Sequence, residues 1–149
     1  MTAERVPATV VRAADGEEID VAGVRHLFKL TGGALGLERF DLLPGTVGAR
    51  PHVHHAHDEH FYVLTGRLTV DTDDGAVELG PGDLAAAPRG AVHGYRNASP
   101  DVPVTALCLY TPPGYEQYFR DVHAAVAGGA EPTAELLAEL RGRYATESR

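Results

Sequence analysis

Four side chains with metal-binding chemistry, His52, His54, Glu59 and His93, are spaced so that only a chain folded back on itself brings them together. The first three lie in the run Pro51-His52-Val53-His54-His55-Ala56-His57-Asp58-Glu59, and the last closes the run that opens at Gly82. In an extended strand, residues two apart share a face, so His52 and His54 point one way and His55 the other. Glu59 is too far past His54 for the same strand face, and the polar stretch His55 to Asp58 supplies a turn. Glu59-His60-Phe61-Tyr62-Val63-Leu64 is aromatic and β-branched and reads as the next strand. Glu59, Phe61 and Val63 then face inward, and His60, Tyr62 and Leu64 outward. His93 must come from a separate strand, Val92 to Asn97, after the turn Pro88-Arg89-Gly90. Neutral imidazole is the commonest protein metal ligand. Three histidines and a carboxylate suit a first-row transition metal and leave about two coordination positions open.

The punctuation around these blocks is that of an antiparallel all-β domain with a helical end. Val6 to Arg12 and Ile19 to Val24 are candidate edge strands. Leu27 to Leu30 and Ala34 to Leu43 flank the turn Thr31-Gly32-Gly33. Leu68 to Asp71 and Val77 to Leu79 flank Thr72-Asp73-Asp74-Gly75, a hairpin signal because Asp-Gly tolerates positive φ. Asp101 to Tyr110 is the last strand. Short strands at such intervals predict a sandwich or barrel. Pro112-Pro113-Gly114 ends the strands. Tyr115 to Ala127 then has apolar residues at a helical period and stops at Gly128-Gly129. Glu131-Pro132-Thr133 opens a second helix, with Leu136, Leu137, Leu140 and Tyr144 on one stripe.

At these residues the chain resembles the cupin superfamily. The family's first motif runs from a glycine through His-x-His and Glu to Gly, and His52, His54, Glu59 and Gly66 fit it; the opening glycine, Gly45, is offset by one residue. The second motif fits Gly82, Pro88, Gly90, His93 and Asn97 without departure. The segment Tyr110 to Phe119 resembles the one that follows the barrel in single-domain quercetinase-like cupins, and the likeness extends over roughly residues 20–145. The resemblance implies a double-stranded β-helix, or jelly-roll barrel, over about 20–111, followed by a helical segment over about 114–146, all within one domain spanning 1–149. It implies a metal held by His52, His54, Glu59 and His93, with Glu59 also placed to act as general base. It further implies a homodimer in which Val6 to Arg12 crosses to the partner.

The remaining residues carry lesser expectations. His57 sits in the turn beside Glu59 and is a supporting candidate; His55 and His60 are surface or supporting groups. His26 and His123 have no evident partner and are expected at the surface. Phe28, Phe40, Phe61, Tyr95 and Leu107 are candidates to shape an apolar substrate pocket, with core packing the alternative for each. Gly66, Gly82 and Gly90 meet backbone requirements, and Asn97 is expected to bond the backbone. Cys108, the one cysteine, lies in an apolar run and reads as a buried inert thiol.

The wider bounds agree. A chain of 149 residues buries about 68–70% of its unfolded surface as one domain. A formal net charge of −8 argues against a nucleic-acid partner. No run is apolar enough to span a membrane, and Met1 to Arg5 lacks the apolar core of a signal peptide. With one cysteine and so no internal disulfide, a cytoplasmic location is expected.

Two enzymatic readings follow. The quercetinase-like resemblance implies an oxygenase that opens the ring of a flavonol or a related aromatic or enolic compound, using dioxygen and iron, nickel, manganese or cobalt. The same centre with zinc would polarise a carbonyl for a non-redox cyclisation or isomerisation of a polyketide-like substrate. A non-catalytic binding or storage role is the third class, and retention of all four donors weighs against it.

Overall fold

The computed structural model describes residues 1–149. Its elements, in chain order, are β1 (Glu17–Val21), β2 (Val24–Leu30), β3 (Gly36–Leu42), β4 (Val47–His54), β5 (Asp58–Thr65), β6 (Leu68–Thr72), β7 (Gly75–Leu79), β8 (Leu84–Ala87), β9 (Val92–Arg96), β10 (Val104–Thr111), α1 (Glu116–Ala127), α2 (Ala134–Gly142) and β11 (Thr146–Ser148). The strands form two antiparallel sheets, one in the order β1-β2-β3-β10-β5-β8 and the other β11-β4-β9-β6-β7. This is the all-β, jelly-roll architecture with C-terminal helices that the sequence implies.

Period-two alternation builds the inner faces. Along β3 every second residue from Gly36 to Leu42 is buried, and along β10 every second residue from Val104 to Tyr110. Phe40, Leu42, Val104, Ala106, Cys108, Phe61 and Val63 from the first sheet meet Leu68, Val70 and Tyr95 from the second. Each fully buried large side chain in that set contributes about 1.5–3 kcal/mol of apolar burial. Glycine is required where chain segments touch. Gly66 has φ +77°, and a Cβ there would stand 2.3 Å from Pro103 O. Gly94 lets β9 lie against the bulged stretch of β4, where a Cβ would meet Ala49 O at 2.7 Å. That bulge precedes the pairing of His52 with His93, a place where an irregular strand re-aims a side chain.

The helices cover one end of the barrel. Tyr115, Tyr118 and Val122 of the α1 region and Leu140 of α2 join the core. Thr133 caps α2, its hydroxyl accepting from Leu136 N at 3.2 Å.

Several sequence expectations are corrected here. Val6 to Arg12 forms no strand: residues 1–11 are exposed and pair with nothing in the chain, and the edge of the sheet is β1. Ile19 to Val24 is not one strand, because Ala22 (φ 47°) and Gly23 (φ 91°) form the turn between β1 and β2. Positive φ at both central residues matches the twist of a two-residue hairpin. β8 and β11 lie outside the strands expected: β8 is alanine-rich and β11 is three polar residues, compositions with little strand signal. Tyr144 lies past the end of α2.

Candidate metal centre

β4 delivers His52 and His54 to the barrel interior, β5 delivers Glu59 and β9 delivers His93. All four are buried, and one donor atom from each lies within 4.8 Å of the others. A first-row metal with about 2.0–2.1 Å bonds needs opposite ligands about 4 Å apart, so the group has the right size to close on one ion.

The hydrogen bonds behind the ring nitrogens set the tautomers. His52 Nδ1 donates to Arg50 O at 2.7 Å, and His93 Nδ1 donates to Ala91 O at 3.1 Å. His54 Nδ1 lies 2.7 Å from Thr146 Oγ1, whose hydroxyl donates to Tyr144 O at 3.2 Å, so the imidazole is the donor in that pair. Each Nε2 is thereby turned inward, the arrangement in which outer partners orient metal-ligating histidines. Burial drives His52 down to about 3 and lowers His54 too, so both are neutral near pH 7. Their Nε2 atoms nevertheless stand 3.0 Å apart. Two bare lone pairs at that distance repel, and a cation between them removes the conflict. The residues present therefore fit a divalent transition metal.

Glu59 sits at the centre. Its Oε2 is 2.9 Å from His93 Nε2, and its Oε1 is 3.3 Å from His54 Nε2 and 3.4 Å from His57 Nε2. Burial alone would raise its carboxyl. Against that, His54 when it carries a second proton, through its charge and hydrogen bond, and the bonds from His57 and His93 hold it well below the usual carboxylate range. Burial likewise opposes protonation of His93, but the Glu59 carboxylate wins and raises it. His57, the supporting candidate, is buried and packs against His54 with ring centroids 4.1 Å apart and the planes tilted by 33°. His55 is exposed, 3.3 Å from Glu147.

A cavity of about 120 Å³ opens beside this group, and both His52 and Glu59 reach it. Of the residues expected to shape a pocket, Phe61 and Tyr95 line it. Phe40 packs behind them, 6.2 and 5.1 Å from their ring centroids. Phe28 stacks with His26, packs at a tilt against Phe119 and does not reach the cavity. Leu107 is corrected outright: strand alternation turns it to the outer face, and its neighbour Cys108 lines the cavity instead. The Cys108 thiol and the phenols of Tyr95, Tyr110 and Tyr115 are pushed well up, chiefly by burial, so these four groups of the wall are neutral.

His26 is also corrected. It is 2% exposed, lines the cavity, and its Nδ1 donates to both carboxylate oxygens of Glu38 at 3.1 and 3.2 Å. Its parity with Val24 and Phe28, and that of Glu38 with Phe40 and Leu42, carried the signal. His123 is exposed, as expected. Thr146 and Arg141 carried no such signal, because both reach the site from beyond the barrel. Asn97 does bond the backbone, donating to Leu42 O, Leu43 O and Val102 O. Gly66, Gly82 and Gly90 all hold positive φ.

Comparison with known proteins bears on this site. A family model described as "Cupin domain" matches residues 38–110, the stretch that carries all four donors. Over 70 residues, 46% of the chain, the sequence is 37% identical to a quercetin 2,3-dioxygenase of Bacillus subtilis (strain 168), of which it spans 20%. The chain thus spans a fifth of that relative's length. Among solved structures, KdgF from Halomonas sp. aligns with TM-score 0.66 and 24% identity, covering 74% of this chain and 99% of that one. A sugar phosphate isomerase of the cupin superfamily from Silicibacter pomeroyi aligns with TM-score 0.54 and 30% identity, over 60% of this chain and 59% of that one.

Proposed function

We propose that this chain, a member of the cupin superfamily through its residues 38–110, is a metal-dependent oxygenase acting on a small enolic or phenolic compound. One observation carries the reading: buried histidine nitrogens converge with an ionised carboxylate at the wall of an apolar cavity. The partial likeness to a quercetin 2,3-dioxygenase supports oxygen chemistry over other uses of that centre.

His52, His54, Glu59 and His93 are the residues that would hold the metal. When bound, an iron, nickel, manganese or cobalt ion would supply an electron-poor centre with open positions for an anionic substrate oxygen and dioxygen. Glu59, kept ionised, accepts the acidic proton of the substrate hydroxyl without first having to lose one. Phe61, Tyr95 and Cys108 pack on the substrate body and exclude water. Ring-opening dioxygenation places both oxygen atoms in the product, so no external reductant is needed. A cavity of about 120 Å³ compares with the roughly 150 Å³ that accepts benzene. The geometry therefore favours a single-ring or short open-chain member of the substrate class over a three-ring flavonol.

The second reading is a non-redox isomerase or cyclase with zinc, favoured by the 30% identity to the sugar phosphate isomerase. Metal analysis of protein purified without added metal, with oxygen uptake on single-ring enols, catechols and a flavonol, separates the two. A redox metal with uptake supports the oxygenase. Zinc without uptake overturns it in favour of the second reading. We further propose a homodimer, which light scattering at micromolar concentration tests directly.

A further inference from the structure

We infer that Arg141 makes the cavity a site for a substrate bearing a carboxylate or an equivalent anion, held by the guanidinium while its enolic or phenolic end faces the metal-ligand group. Arg141 lines the same cavity as His52 and Glu59 and is 7% exposed. Its register is defined: Nη1 donates to Ser148 Oγ at 3.2 Å, and Ser148 pairs with His52 across β11 and β4. The rest of the guanidinium is unused. Nε is sealed from solvent and bonds to nothing. Nη2 makes no bond within the protein, and no carboxylate comes within salt-bridge distance of the side chain.

Two features account for part of this placement. Arg141 stands in the last turn of α2, where the helix dipole favours a cation. Its guanidinium carbon also lies 5.8 Å from the Tyr118 ring centroid, within reach of a cation–π attraction. The dipole supplies no acceptor, and the Tyr118 hydroxyl, near enough for the guanidinium to oppose the upward push of burial on it, makes no well-aligned hydrogen bond to the Nε–Nη2 edge. A buried guanidinium with that edge empty is costly. The same edge is the one that takes a carboxylate through two parallel N–H···O bonds. An anion entering the cavity would complete it. The neutral phenols, thiol and phenylalanine around it offer no competing acceptor of like charge apart from Glu59, which the histidines already engage.

This inference rests on reading the cavity as the substrate site, but its test does not depend on turnover. Calorimetric titration of the protein as purified compares benzoate with benzamide, which has the same shape and no charge. We expect benzoate to bind at least about tenfold tighter, the scale of a charged hydrogen-bonded pair. Arg141→Gln should bring benzoate to the level of benzamide, and Arg141→Lys should keep part of the preference. Equal binding of the two ligands to the unaltered protein overturns the inference, and that comparison needs no variant to fold. A preference that persists in Arg141→Gln also overturns it, since a carboxylate bound only by a metal would behave so. Absence of oxygen uptake with the benzoate preference intact would remove the oxygenase reading and leave the anion site standing.

Discussion

His54 Nδ1 lies 2.7 Å from Thr146 Oγ1, a contact between residues 92 positions apart that ties the last strand to the candidate metal-ligand group. Because the Thr146 hydroxyl is already spent on Tyr144 O, it can only accept from the imidazole, and this orients His54 Nε2 inward. Thr146→Val keeps the shape and removes the acceptor. We expect metal affinity to fall about 10–100-fold, the usual effect of losing such a partner, with the fold retained. Chelator competition measures it; unchanged affinity would show that His54 is oriented by packing alone.

Replacing His54 itself has a larger effect. His54→Ala removes one of the four donors and should abolish stoichiometric metal binding. A metal that binds only the folded state stabilises it by about 4 kcal/mol at a thousandfold excess over Kd. The melting temperature of the unaltered protein should therefore rise with added metal while that of His54→Ala stays flat. Full metal content in the variant would refute the ligand assignment.

Removal of the metal should leave an acid-sensitive protein. Burial lowers His52 to about 3 and lowers His54, against about 6.5 for an unfolded histidine. Below pH 6.5 the unfolded chain then binds more protons than the folded one, so stability falls as pH falls. The loss is up to about 1.4 kcal/mol per pH unit for each such histidine. His93 is raised, by Glu59 against the effect of burial, so its contribution is full below pH 6.5 and is lost as pH rises through its folded value. Glu59, held below the carboxylate range, adds a loss that begins near pH 4.5 and grows as pH falls through its folded value. Urea midpoints of the chelated protein should drop steadily from pH 6.5 toward 4. A flat profile there would contradict the neutral, buried state of His52.

Asn97 is a stability residue rather than a site residue. It is 1% exposed, and its Nδ2 reaches Val102 O at 2.8 Å and both Leu42 O and Leu43 O at 3.3 Å. Asn97→Ala leaves these buried carbonyls short of a donor, at a cost of about 1–3 kcal/mol. Denaturant unfolding should show that loss with metal stoichiometry unchanged; a neutral substitution would mean water replaces the side chain.

Much of the candidate site was legible because strand parity is local. His52 with His54, and Glu59 with Phe61 and Val63, share faces by a period-two rule that needs no knowledge of neighbours, and the structure buries each of them. The same rule was available for His26 and Glu38. A lone polar residue nevertheless reads as solvated while its partner is unknown, and that partner comes from the adjacent strand. Leu107 shows the converse error, where apolar character outweighed parity.

The sequence by itself determined the barrel class, the four candidate donors and the turns at Thr72 to Gly75 and Pro88 to Gly90, since these depend on side-chain chemistry and on alternation over a few residues. Only the tertiary structure decided what surrounds the donors. Thr146 behind His54, the Glu38–His26 pair and the half-empty Arg141 guanidinium depend on sheet register and on where the C-terminal helices dock. Contacts of that range are set by how the whole chain fills its core, and no local pattern encodes them.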